Sequence, residues 1–205
     1  MAVEISLAQP DSLTNRVEML VDGDIESGGY GGPVIKIANI MGQTGIFAGG
    51  EGGWIINHRF VVGAKAYLLT NTKEPAGLQN IIIGFACGGV LLKYIHEPNR
   101  LIHFSFESMV GFGGVYNDVG DYSRPHDPID FTGDACFVFE PGLKINMNIT
   151  DFFRIGAGLT YLFVNGVAYD PGYPYRELIG GEYKNISDSD LSGISGQFTL
   201  EFGAF

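Results

Sequence analysis

From Pro33 onward apolar and polar residues alternate in eight segments separated by turn chemistry. The clearest runs from Ala135 to Ile149. One parity reads Ala135, Phe137, Phe139, Pro141, Leu143, Ile145, Met147, Ile149, and the other Cys136, Val138, Glu140, Gly142, Lys144, Asn146, Asn148. Period-two alternation over this length predicts a long strand with one apolar and one polar face. A helix would carry Pro141, Gly142 and two asparagines in its interior, which excludes it. Phe153, Ile155, Ala157, Leu159, Tyr161 and Phe163 likewise oppose Arg154, Gly156, Gly158 and Thr160. Ile102, Phe104 and Phe106 oppose His103, Ser105 and Glu107, and Phe198, Leu200 and Phe202 oppose Gln197, Thr199 and Glu201. Phe60, Val62 and Ala64 oppose Val61, Gly63 and Lys65, and Ile46, Ala48, Trp54 and Ile56 oppose Gly49, Glu51 and Gly53. The first segment, Pro33 to Met41, carries Lys36, and the fourth, Asn80 to Tyr94, carries Lys93. The fourth shows no clear parity, and its Gly88-Gly89 reads as a bulge.

What each face contains decides between a soluble and a membrane sheet. The polar parity holds Lys36, Glu51, Lys65, Glu107, Glu140, Lys144, Arg154 and Glu201 among glycine and small polar residues, while the apolar parity is aromatic and nearly free of charge. Charged residues make up 17% of the chain and there are 31 glycines, where an average soluble domain has ~25% charged residues. A face with one or two charges per strand, four acidic and four basic, suits a closed lumen filled by ion pairs. Eight strands make a barrel just wide enough for side chains to fill. The longest nearly apolar run, Ile81 to Leu92, is too short for a spanning helix of roughly 20 residues, whereas a spanning strand needs only ~9–11. The pattern predicts an all-β fold, a closed eight-stranded antiparallel up-and-down transmembrane β-barrel.

Connection lengths point the same way. Asn57-His58, Glu97 to Arg100 and Thr150-Asp151 are short, whereas Thr70 to Gln79, Tyr116 to Asp134 and Val167 to Asp190 are long. Only the hairpin near Met41 to Thr44 is tight on the long side. Short turns at one end and long loops at the other is the asymmetry of outer-membrane barrels, with both termini on the periplasmic side. Residues 1–32 are expected to form a flexible periplasmic lead-in that ends in Gly28-Gly29-Tyr30-Gly31-Gly32, and residues 33–205 the barrel. Met1 to Asp11 is not a complete signal peptide, and Ser6 to Gln9 fits the tail of a cleaved export signal.

These features, with the terminal aromatic Phe205, resemble the small eight-stranded outer-membrane β-barrel proteins of Gram-negative bacteria, in the OmpA/OmpX-like size class. The stretch Gly49 to His58 is similar to hairpins of uncharacterised Bacteroidetes-type barrels. In that class the terminal aromatic usually shares the lipid-facing parity, whereas Phe205 has the parity of Glu201 and Gly203. The resemblance implies the cell outer membrane as location. It implies outer-membrane lipid and lipopolysaccharide as surroundings, and barrel-assembly machinery as the partner during insertion.

The mixed charges are read as a salt-bridged lumen holding the barrel together, with a narrow solute pore as the alternative. Each of Lys36, Lys65, Lys144 and Arg154 is expected to have a carboxylate of Glu51, Glu107, Glu140 or Glu201 within reach, because an unpaired buried ion costs several kcal/mol. Glu51 and Lys65 flank the Asn57-His58 turn and make the first pair, and Glu201 is expected near the strand of Lys36. His103-Phe104-Ser105 with Glu107 resembles the His-x-Ser signature of outer-membrane lipid A deacylases, and a histidine beside a serine is sound nucleophile chemistry. Here it lies near the periplasmic turn and on the lumen parity, so a structural role is expected.

The long loops are acidic. Asp118, Asp121, Asp127 and Asp130 offer oxygen ligands of the kind Ca²⁺ takes, but without a cation-loop spacing the plainer reading is a solvated charged loop. Asp134, Asp170, Asp188 and Asp190 belong to the same acidic loops. Cys87 and Cys136 fall on non-adjacent strands at different depths and are expected as free buried thiols. Trp54, Tyr94, Phe152 and Phe153 are placed in an aromatic girdle at the short-turn rim, and Pro171 to Tyr175 at a loop tip. A net charge of −11 argues against nucleic acid. No cofactor is expected. The function expected is a non-enzymatic barrel, structural or adhesive through its acidic extracellular loops toward an extracellular or protein partner. The alternatives are a lipid-modifying enzyme or a narrow pore.

Overall fold

A computed structural model describes residues 26–71, 81–119, 134–170 and 185–205. Seven strands follow one another: β1 (Ser27–Ile40), β2 (Gln43–Ile56), β3 (Phe60–Leu69), β4 (Ile81–His96), β5 (Ile102–Val119), β6 (Asp134–Thr150) and β7 (Phe153–Asn165). Two short strands, β8 (Ala168–Tyr169) and β9 (Ile186–Ser187), pair with each other. One helical turn, α1 (Asp188–Leu191), leads into β10 (Gly193–Ala204). The eight long strands close into an antiparallel barrel in the order β1-β10-β7-β6-β5-β4-β3-β2. Closure removes every sheet edge, which is what lets a sheet cross hydrocarbon with no unpaired backbone groups.

Sequence and structure differ at the first strand. Gly28 to Gly32, expected as the end of a flexible lead-in, lie inside β1 and pair with β2, and Gly29 to Gly31 pair with β10 as well, Gly29 with Trp54 and with Ala204. Their glycines are needed where the barrel closes. A Cβ on Gly28 would stand 2.1 Å from the carbonyl oxygen of Ala204, and one on Gly32 1.7 Å from that of Leu200. Residues 1–25, with the expected export-signal remnant, lie outside the described residues.

The first hairpin turns on Met41 (φ 53°) and Gly42 (φ 74°) between the paired Ile40 and Gln43. A two-residue turn with both positions at positive φ matches the twist of the flanking strands. Several strands run longer than the sequence pattern suggests, β5 reaching Val119. The stretch Val167 to Asp190, read as loop, contains β8, β9 and α1. Met41 N–H donates to the Asp190 carbonyl at 2.8 Å, which ties α1 to the first hairpin.

Inward and outward positions alternate along every long strand. Outward-pointing residues are large and apolar: Ile35, Val62, Leu92, Phe106, Phe112, Leu143, Leu159 and Phe198 are all exposed, Phe112 at 72%. Such a continuous apolar face is far larger than a soluble monomer presents to water. At the short-turn end it carries aromatics, with Trp54 and Phe152 exposed, Phe60 against Tyr94 (centroids 5.3 Å apart) and Phe153 stacked on Phe202 (4.8 Å).

The interior has three layers. Toward the long loops an apolar cluster includes Phe47, Tyr67, Ile83, Phe85, Met109 and Val138, closed over by Val167, Ile186 and Leu191 around the β8–β9 ladder and α1. At the short-turn end Tyr30, Ile55, Val61 and Ile95 pack with Phe205. Between them lies a charged belt.

Inward glycines make room for its long side chains. A Cβ on Gly158 would stand 2.2 Å from the Leu143 carbonyl and 2.8 Å from Lys144 Cα, whereas one on Gly196 of β10 would meet nothing within 4 Å. Gly158→Ala is therefore expected to destabilise the barrel by about 1–3 kcal/mol through overpacking, and Gly196→Ala to leave it near neutral. Denaturant unfolding in detergent micelles compares the two.

Candidate functional site

The charged belt is built by register. Glu51 on β2 stands directly opposite Lys65 on β3, and Lys93 on β4 opposite Glu107 on β5. Lys36 comes from β1, Glu140 and Lys144 from β6, and Glu201 from β10, so seven of the eight barrel strands contribute. The four lysines and four glutamates are each 5% exposed or less, and their formal charges cancel.

Each carboxylate is shared. Glu51 Oε1 lies 2.7 Å from both Lys93 Nζ and Lys144 Nζ, and Glu51 Oε2 lies 3.7 Å from Lys65 Nζ. Glu201 Oε1 takes Lys93 at 2.9 Å and Lys144 at 3.0 Å. Glu107 takes Lys65 at 2.9 Å and Lys144 at 3.0 Å. Glu140 takes Lys36, and Lys65 at 3.3 Å. Neutral groups complete the shell. The Tyr30 hydroxyl donates to Glu51 (3.1 Å), the Tyr67 hydroxyl to Glu140, and the Gln197 amide nitrogen to Glu107 (2.7 Å) while its oxygen accepts from Lys65 (2.8 Å). A belt with its charges matched in sign and number, each also hydrogen-bonded, is the arrangement in which buried ions are tolerated.

Seven of the eight residues expected in the lumen meet there: Lys36, Glu51, Lys65, Glu107, Glu140, Lys144 and Glu201. Arg154 does not. It faces Glu201 across the β7–β10 ladder, but the Glu201 carboxylate is taken by Lys93 and Lys144, and no carboxylate lies within 4.0 Å of Arg154 among the described residues. Its guanidinium instead stacks 3.7 Å over the Phe205 ring. The fourth cation is Lys93, which pattern reading left unassigned because β4 is apolar on both faces. Inward Ile83, Phe85 and Leu91 give no contrast with outward Val90 and Leu92. Glu201 lies on the strand beside β1 as expected, yet Lys36 reaches across the lumen to Glu140.

The His-x-Ser set is not assembled. His103 Nδ1 is 3.2 Å from the Arg100 carbonyl, its Nε2 has no hydrogen-bond partner among the described residues, and the Ser105 hydroxyl accepts from the Asn146 amide at 2.9 Å. Glu107 is committed to lysines. The cysteines are free and buried, as expected, and unbridged. Both pair in register with Gly113, Cys87 from one side and Cys136 from the other.

Asp121, Asp127, Asp130 and Pro171 to Tyr175 lie outside the described residues. Asp118 belongs to β5, opposite Ile82. The other loop acids carry local structure. Asp134 accepts from Ala168 N–H at 3.2 Å, Asp188 from Val167 N–H at 2.7 Å, and Asp190 caps α1 through Ser187. These bonds fix the segment that closes the long-loop end.

No protein-family model and no curated protein matches the chain. Solved structures do. Neisserial surface protein A aligns with a TM-score of 0.55 at 11% identity, over 89% of this chain and 99% of that one. The outer membrane protein OprG from Pseudomonas aeruginosa aligns at 0.49 and 8%, over 86% and 95% of the two chains. Ail, the attachment invasion locus protein of Yersinia pestis, aligns at 0.43 and 12%, over 86% and 97%. With the apolar outer face, the strand closure and the short-turn and long-loop ends in place, the chain is a small eight-stranded β-barrel of the outer-membrane type.

Proposed function

We propose that the protein is a non-enzymatic barrel with a plugged lumen, structural or adhesive, acting through its acidic extracellular loops. The observation that carries this reading is the filling of the interior: eight matched charges at mid-barrel, an apolar cluster above them and Tyr30, Ile55 and Phe205 below. Such a barrel offers ions no path, and the belt acts as an internal brace that keeps the wall rigid under its loops. The lack of a hydrogen bond between His103 and Ser105 among the described residues supports a role without catalysis, since a nucleophile needs its base within hydrogen-bond reach. In this reading the partners are outer-membrane lipid and lipopolysaccharide, the assembly machinery at insertion, and a protein or cell-surface ligand at the long-loop end. Nucleic acid is not among them. No metal or other cofactor enters the reading.

Planar-bilayer recording tests it. The protein is expected to insert without stable unitary current steps, and Lys144→Ala is expected to create a leak by opening the belt. Stable steps from the unaltered protein would overturn the plugged-lumen reading.

A further inference from the structure

The short-turn end holds a second feature, separate from the belt and from the loops. A cavity of about 580 Å³ opens there between the β4–β5 and β6–β7 turns, lined by Arg154, Asn148, Asn99, Leu101, Ile149 and Phe205 among others. Arg154 is only 6% exposed, has no ion pair, and its Nε is sealed with no hydrogen-bond partner among the described residues. A buried cation without a counter-charge is costly, and an arginine fork is matched to an oxyanion. Asn148, its register partner on β6, donates to the carbonyls of Pro98 and Arg100 (both 2.9 Å), and its Oδ1 has no partner among the described residues. A cation and an unused acceptor therefore sit side by side at one wall, with Leu101, Ile149 and the Phe205 ring beside them.

We propose that this mouth binds a singly charged carboxylate with an apolar body, of the kind found at the C-terminal end of an acylated amino acid or peptide. The carboxylate takes the place of the missing counter-ion on Arg154. The adjacent amide N–H meets the acceptor of Asn148, and the apolar side chain lies on Leu101, Ile149 and Phe205. Asp151 lines the same cavity, so the side-chain charges of the lining cancel and a monoanion is favoured over a phosphate dianion. Arg154 is then a binding residue, which also accounts for its place outside the lumen network.

The test is an NMR titration of the arginine Nε–H signals of the folded protein in detergent micelles, with N-acetyl-phenylalanine, its uncharged amide, and inorganic phosphate at constant ionic strength. The acid is expected to shift the Arg154 signal with millimolar or tighter affinity, at least tenfold tighter than the amide or phosphate. Arg154→Gln, observed through backbone amides of the β6–β7 turn, is expected to weaken binding at least tenfold. Equal binding of acid and amide, phosphate binding as tight as the acid, or no saturable shift in the unaltered protein would each overturn the proposal. If Arg154→Gln does not fold, the ligand comparison on the unaltered protein still decides.

Discussion

Glu51→Gln is expected to destabilise the barrel by about 3–5 kcal/mol, the usual cost of stripping one partner from a buried ion network. Glu51 sits within 4 Å of three lysines, Lys65, Lys93 and Lys144. The amide keeps the shape but leaves one uncompensated positive charge in a buried belt. The same substitution at an exposed pair supplies the contrast. Glu97 is 3.0 Å from Arg100, but the two side chains are 46% and 69% exposed, and Glu97→Gln is expected to change stability by less than about 1 kcal/mol. Neutralising a partner as well, in Glu51→Gln with Lys93→Met, is expected to recover at least half of the loss. Urea unfolding in lipid vesicles, followed by the gel mobility of unheated samples, measures all of these. A cost for Glu51→Gln as small as that for Glu97→Gln would mean that water reaches the belt.

Leu159→Arg is expected to cost about 2–4 kcal/mol, the penalty for an arginine on the lipid face of a barrel near the bilayer midplane. Leu159 is 63% exposed, on β7, between Leu143 and Gly196 in register. On a water-facing surface the same exchange would be nearly free, since exposed sites away from special contacts change stability by at most ~0.5 kcal/mol. Vesicle unfolding titrations compare it with Thr150→Arg at the short turn, which is expected to be nearly neutral.

The strands from β5 to β7 and β10 were legible because their two faces meet different surroundings, hydrocarbon outside and a small polar lumen inside. β4 was not, because its inward Ile83, Phe85 and Leu91 belong to the apolar layer and erase the period-two contrast. That loss hid Lys93. β1 was legible only from Pro33, since Gly28 to Gly32 look like a linker by composition. Their reason is the close approach of β10, a three-dimensional fact that no local pattern carries. Charge counting predicted four ions of each sign with Arg154 among the cations, whereas the structure buries five cations and four carboxylates among the described residues, and the belt balances because Lys93 takes the place expected for Arg154. It could not say that the Glu201 carboxylate would turn to Lys93 and Lys144, leaving Arg154 to stack on Phe205. The belt joins residues up to 132 positions apart, and only barrel closure brings them together.

The central claim is that the apolar face meets lipid and the charged face is sealed inside. The chain has a single tryptophan, Trp54, which points outward at the short-turn rim and is 54% exposed. Its fluorescence in vesicles of brominated lipid tests the claim most directly. The account predicts blue-shifted emission quenched strongly by bromines near the headgroup and less by bromines deep in the chains. Emission typical of indole in water, unchanged by brominated lipid, would contradict it.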